Sequence, residues 1–284
     1  MKKIFLYTQC CFLSLLIVSC THSSRSLNHT LTQWHMMYPT SSQDLNLVGA
    51  VKTVRLKTYT PILEDGHYVR GSIQKVTHAE VARNKSYEIE FSELGVINHI
   101  ISLSHTDQVL NKQVSIIDTN GQYIGFFNYD AQGNPEFKAE YNYTQDTLIH
   151  IESNSELADG YWAVDFDYPS LDEMSYTQKF YEGILETKER IINQRVHEVW
   201  EKHMAEGDTE TTHHEYVYNA YNDIVKDHVV RSGIYLGAPK GHQNKVSYEM
   251  SYIYTYDKKG NWITRVVLRD GKALDYQTRD IVYY

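Results

Sequence analysis

Beyond residue 20 the chain has no cysteine; Cys10, Cys11 and Cys20 all fall at its beginning. No disulfide can brace the remainder of the chain, so the fold must be held by its core, although exported proteins are free to use such bridges. Basic charge is short as well. A formal net charge of −9 excludes nucleic acid as a partner, because phosphate binding needs concentrated Lys and Arg. The same acidity disfavours adhesion to anionic lipid head groups. After the N-terminal apolar stretch no second long hydrophobic run occurs, and the remainder reads as soluble. No nucleophile elbow and no glycine-rich phosphate loop is present. Only 5 prolines stand against 24 tyrosines, and tyrosine favours pleated, half-buried surfaces.

The N-terminus reads as a secretory signal over residues 1–19. Lys2 and Lys3 form a positive start, followed by an apolar core strongest from Cys10 to Val18. That core falls short of the ~20 apolar residues needed to cross a bilayer, so a cleaved signal is the better reading. The string Leu16-Ile17-Val18-Ser19-Cys20 resembles the lipobox of bacterial lipoproteins. The resemblance implies cleavage before Cys20 and lipid attachment to it, and several acyl chains give a stable membrane anchor where one does not. Residues 20–44, rich in Ser, Thr, Asn and Gln, read as a lipidated flexible tether. Within them Trp34, Met36, Met37 and Tyr38 have the character of a docking patch. The folded domain is expected over residues 45–284.

In that domain short alternating stretches are punctuated by turns of the form Asp-x-x-Gly: Asp118 to Gly121, Asp130 to Gly133 and Asp257 to Gly260. The aspartate side chain accepts backbone N–H groups, and the terminal glycine adopts a positive φ. Simpler hairpin turns are indicated at Asp65-Gly66, Glu182-Gly183 and Asp270-Gly271. Glu93-Leu94-Gly95 and Tyr221-Asn222-Asp223 read as degenerate members of the first set. Hairpin after hairpin gives an all-β, antiparallel meander.

Phe127-Asn128-Tyr129-Asp130-Ala131-Gln132-Gly133-Asn134 and Tyr254-Thr255-Tyr256-Asp257-Lys258-Lys259-Gly260-Asn261-Trp262 resemble the tyrosine-aspartate (YD) repeats of the RHS family. Weaker copies lie near Tyr87, Tyr143 and Tyr216. The resemblance implies a twisted sheet of repeated hairpins. The repeats here are too few for the shell that large family members wrap around a toxin, and the chain has no toxin-like tail. Similar units occur in uncharacterised bacterial lipoproteins of this length.

Residues 184–204 fit either a helix or two strands. Apolar residues at 184, 185, 191, 192, 196, 199 and 200 mark a helical face, while Ile184, Ile192, Val196 and Trp200 share one strand parity. The surrounding β pattern favours strands. A membrane barrel, which the aromatic end Ile281-Val282-Tyr283-Tyr284 would suit, is disfavoured. Strands such as Lys188-Glu189-Arg190 carry charge on both parities, where a lipid-facing wall alternates apolar residues.

Chemistry is hard to find. His197-Glu198-Val199-Trp200-Glu201 lacks the second histidine of a zinc-protease helix, and His203 sits off the required face. His213 and His214 are strand neighbours that point to opposite faces, so they cannot chelate one ion together. Ser104-His105-Thr106-Asp107 holds triad residue types, but a triad assembles from separated segments. No metal, cofactor or catalytic residue is assigned. Tyr161, Trp162 and Trp262, near acidic residues, are the candidate ligand contacts, with core packing as the plainer explanation. The sequence therefore reads as a non-catalytic envelope lipoprotein, anchored most naturally to the outer membrane, that offers a Tyr-rich sheet face to a protein or glycan. The alternatives are a glycan or peptidoglycan hydrolase using a carboxylate pair and a structural subunit of an envelope assembly.

Overall fold

The computed structural model describes residues 39–78, 82, 85–145, 147–154, 162–180, 183–205, 208–233 and 244–284. The signal segment, Cys20, the start of the tether and Tyr161 lie outside these residues, as does Glu182.

Apart from Ala82 and Lys85, which are helical, the described chain is strand, turn and connecting segments. The first half comprises β1 (Val51–Glu64), β2 (His67–Ile73), β3 (Ser86–Phe91), β4 (Ile97–Leu103), β5 (Val109–Ile117), β6 (Tyr123–Asp130), β7 (Pro135–Thr144), β8 (Thr147–Asn154) and β9 (Trp162–Ser170). The second half comprises β10 (Glu173–Phe180), β11 (Gly183–Ile192), β12 (Arg195–Ala205), β13 (Asp208–Tyr218), β14 (Ile224–Gly233), β15 (Asn244–Tyr256), β16 (Trp262–Arg269) and β17 (Lys272–Tyr283). Every ladder is antiparallel. From β3 onward each strand pairs with the next in sequence, which is the expected meander.

The meander does not stay open. β1 pairs with β17 from Val51↔Tyr283 to Tyr59↔Tyr276, and its other edge pairs with β3 from Thr53↔Glu90 to Lys57↔Ser86. These two ladders join the first strand to the last and close a barrel of 16 strands. β2 is the strand outside that count. It folds back on the far half of β1, from Tyr59↔Ile73 to Glu64↔His67, as a hairpin extending one end of the wall. Closure leaves no sheet edge along the wall.

Residues 184–204 form β11 and β12, not a helix. Asn193 and Gln194, both at positive φ, make the turn between them. The parity expected for this stretch holds only in part. Ile184 and Trp200 are on the outer face, paired with Met204 and Lys188, and Ile192 is exposed with them. A bulge between Arg190 and Ile191 shifts the register, so that Val196 pairs with Ile191 and turns inward, fully buried.

The two faces of the wall differ sharply. Along β11, Thr187, Glu189 and Ile191 are buried inward while Glu186, Lys188 and Arg190 stand exposed. Charge on both parities is thus real here, and Glu189 is its inward member. The outer face carries ion pairs around the barrel: Arg55–Asp107 at 2.7 Å, Lys179–Asp165 at 2.9 Å, Arg190–Glu198 at 2.6 Å and Lys226–Glu249 at 3.1 Å. The inner face holds the apolar mass. One cluster joins Tyr123, Phe126, Tyr141, Ile151, Val164, Tyr176 and Val199, and a second joins Leu47, Val51, Val54, Ile89, Phe91 and Ile97.

Candidate functional site

Three Asp-x-x-Gly turns share one bonding scheme. Asp118 Oδ1 accepts the N–H of Asn120 and Gln122, Asp130 Oδ1 that of Gln132 and Asn134, and Asp257 Oδ1 that of Lys259 and Asn261, at 2.8–2.9 Å. Gly121, Gly133 and Gly260 close them at φ between +84° and +91°. Asn219 builds the same turn with its side-chain carbonyl, bonding Tyr221 N–H and Asp223 N–H, and Ser104 does so with its hydroxyl toward Thr106 and Gln108. In these two, Asn222 and Asp107 take the positive φ that glycine takes elsewhere.

The turns at the end of the barrel where β1 begins hold a strap. Asp44 gathers Thr40 N–H, Thr40 Oγ1–H and Ser41 N–H into a tight bend. Ser41 bridges to Val96, Asn46 Nδ2 donates to Tyr221 O and Asp223 Oδ1, and Val48 N–H donates to Asn261 Oδ1. Leu47 inserts between these polar ties into the second apolar cluster. Residues 40–48 are thereby stitched to the turns after β3, β13 and β15.

Behind the strap the lumen contains a cavity of about 250 Å³, lined by strands from both halves of the wall. Apolar and aromatic groups make one side: Leu56, Ile89, Ile100, Tyr218, Tyr254 and Trp262. Polar groups converge on it as well, among them Asp44, Asn111, Gln113, Asp223, Arg265 and Arg279. Tyr218 donates to Val196 O at 2.6 Å and Tyr254 to Ile224 O at 2.7 Å, which fixes both rings. Burial pushes the Tyr254 hydroxyl up, and it pushes that of neighbouring Tyr252 to about 12. Burial alone pulls Asp257 upward, yet hydrogen bonds from Tyr283 and the turn amides outweigh it and hold that carboxyl low.

Trp262, a candidate ligand contact, is 3% exposed at the cavity wall. Trp162 packs against the first apolar cluster. The histidines separate as strand geometry dictates. His213 stacks on Trp200 outside, with ring centroids 5.0 Å apart, whereas His214 faces inward and bonds Asp227 at 3.0 Å. His197 packs edge-on against Tyr218. Arg265 and Arg279 were not singled out by sequence reasoning. Arg279 sits beside Gln277, Thr278 and Asp280, which read locally as a solvated strand, while Arg265 interrupts the apolar run from Trp262 to Leu268; the ladders joining β16, β17 and β1 bring both to the inner face.

No protein-family model matches the chain, and no curated protein matches it. Solved structures similar in architecture include a porin-like protein from Bacteroides uniformis, at 10% identity over 83% of this chain and 98% of that one, with a TM-score of 0.42. Another is a porin-like protein from Bacteroides vulgatus, at 9% identity over 84% and 99%, with a TM-score of 0.49. Likenesses this distant carry no argument about function. The expected kinship with tyrosine-aspartate repeats is corrected by the closed wall: each Tyr-Asp-x-x-Gly unit is one hairpin of a 16-stranded barrel. The motif specifies a local turn and leaves the curl of the sheet undetermined.

Proposed function

We propose that the chain is a non-catalytic lipoprotein of the cell envelope, anchored through Cys20, whose barrel stands in water beside the membrane and holds a small ligand in its lumen. One observation carries this reading: charged side chains are spread over the outer wall, between exposed apolar ones such as Ile184, Trp200, Val246 and Ile253, while the aromatic clusters face inward. A lipid-facing wall has the opposite pattern, and Lys or Arg facing lipid at the bilayer midplane costs about 2–4 kcal/mol each. Charges such as Arg55, Lys188, Arg190 and Lys226 project from that face. Because the tyrosine-rich surface is turned inward, binding belongs to the lumen rather than to an exposed sheet face. Asp44 and Asp223, the carboxylates lining the cavity, are committed to hydrogen bonds that hold the strap, which favours a binding role over hydrolysis.

The test is fractionation of cells making the wild type and a Cys20→Ala chain whose residues 1–19 are exchanged for an ordinary cleavable export signal. The wild type should partition with membranes and incorporate labelled palmitate. The variant should be exported and recovered folded without detergent. Retention of Cys20→Ala in carbonate-washed membranes would place the wall in lipid and end this reading.

A further inference from the structure

Arg279 and Arg265 enter the lumen from adjacent strands and lie over the same indole, 3.6 Å and 4.7 Å from the centroid of the Trp262 ring. Arg265 is anchored, giving its Nε–H and Nη2–H to Gln277 Oε1 at 2.8 and 2.5 Å. Arg279 is not. Only 8% exposed, it hydrogen-bonds the Tyr87 side chain, while its Nε and Nη1 are buried and find no acceptor. Among the described residues no carboxylate oxygen comes within 4.0 Å of either guanidinium. Asp223 and Asp44 line the same cavity but are occupied by Asn46 and by Thr40 and Ser41.

A guanidinium stays protonated at any physiological pH, so this charge cannot be relieved by losing a proton. Buried charges without a partner are costly, and buried polar groups are normally satisfied. Two cations sharing one indole, with free N–H donors beside an open space, are a half-built ion pair awaiting its anion. Arginine's fork suits planar, bidentate carboxylates and phosphates. With guanidinium groups already over Trp262, a neutral sugar finds little free indole to stack on. The cavity volume, about 250 Å³, lies just below the range for drug-sized ligands, ~300–1,000 Å³, and admits a molecule the size of one sugar acid.

We infer that this cavity binds a small organic anion through a carboxylate or phosphate group, with the Nε–H and Nη1–H of Arg279 as principal donors and Arg265 as the second cation. The inference rests on the reading that the lumen, not the outer wall, is the binding surface, and it names the ligand class. Asp44 and Asp223 would orient the ligand by repelling its charged end toward the two arginines.

The experiment uses the Cys20→Ala chain, titrated calorimetrically and by tryptophan fluorescence with acetate, inorganic phosphate, glucuronate and glucose 6-phosphate, with glucose as neutral control. Saturable binding of at least one anion up to about 10 mM, with none for glucose, is expected. Comparison of the carboxylates with the phosphates identifies the group bound. Arg279→Met should weaken binding about tenfold or more, and Arg279→Lys, which keeps the charge, should lose less. Circular dichroism checks the fold of both, and the wild-type titration stands even if Arg279→Met misfolds. Silence toward all four anions, equal binding of glucose, or unchanged affinity in a folded Arg279→Met would overturn the inference. A chain that leaves the membrane yet ignores these anions sinks this inference alone, whereas a chain fixed in the bilayer sinks the reading beneath it.

Discussion

Val54 on the first strand lies directly opposite Ile281 on the last, and both side chains enter the same apolar cluster. That pairing turns a row of hairpins into a wall without ends. It also fixes which residues of β1 and β17 face inward, because a slip of one residue would turn each set to the other face. Leu56↔Arg279 and Thr58↔Gln277 follow from it two and four residues on, so the register that buries Val54 is the register that delivers Arg279 to the cavity.

Closure should be visible in stability. Leu56 is 1% exposed beside this seam, and Leu56→Ala should cost about 2–5 kcal/mol in urea unfolding. Val282, on the outer face one residue from Ile281, is 52% exposed, and Val282→Ala should change stability by no more than about 0.5 kcal/mol. Equal effects at the two sites would contradict the inward assignment.

The turns offer a second comparison. Gly133 closes its turn at φ +84° with open space where a side chain would go, so Gly133→Ala meets backbone strain without collision. A loss of about 1–2 kcal/mol is expected in a thermal melt referred to wild type. Gly133→Asn should recover part of it, since Asn222 already serves the equivalent position after Asn219.

Such local chemistry was readable from the chain itself. Tyr252 to Tyr256 alternates, Asp257 starts a turn and Gly260 ends it, and all of that lies within ten residues. Ser104 and Asn219 start the same turn less obviously, because a hydroxyl and an amide replace the carboxylate. Residues 184–204 were ambiguous because the bulge at Arg190 and Ile191 spoils a clean alternation. The closing ladder had no local signal at all. Nothing near Val54 announces a partner at position 281, and nothing local marks Arg265 and Arg279 as neighbours over one indole. The anion-facing part of the site was therefore invisible while its scaffold was not.

Acid should loosen one corner of the wall selectively. A hydrogen bond from Lys57, reinforced by the charge of Arg55, holds the Asp107 carboxyl below its ordinary range. A depressed folded-state value means the unfolded chain takes up the proton first as pH falls. The stabilisation is therefore complete above about pH 4 and fades as pH drops through the lower folded value. Asp107 is largely solvent-exposed, so the contribution is less than about 1 kcal/mol. Asp107→Asn keeps a residue that tolerates its positive φ and removes the titration. Melting curves of variant and wild type should differ at neutral pH and converge as pH falls through the lower folded-state value. Curves that stay parallel to the lowest pH would show that the ion pair does not contribute.

The orientation of the wall can be read from a single indole. Trp200 projects outward, 37% exposed, on the face that carries Lys188 and Lys202, whereas Trp262 is 3% exposed in the lumen. In vesicles holding the lipidated chain, a wall standing in water leaves Trp200 open to acrylamide and beyond the reach of brominated acyl chains. With Trp34 and Trp162 replaced by Phe so that two indoles remain, the acrylamide-sensitive part of the emission should disappear in Trp200→Phe, while the part from Trp262 persists. A wall immersed in lipid gives the reverse, with bromine quenching that Trp200→Phe abolishes. The two outcomes exclude one another because the same side chain cannot face water and hydrocarbon at once, and the charges flanking it make water the lower-energy neighbour.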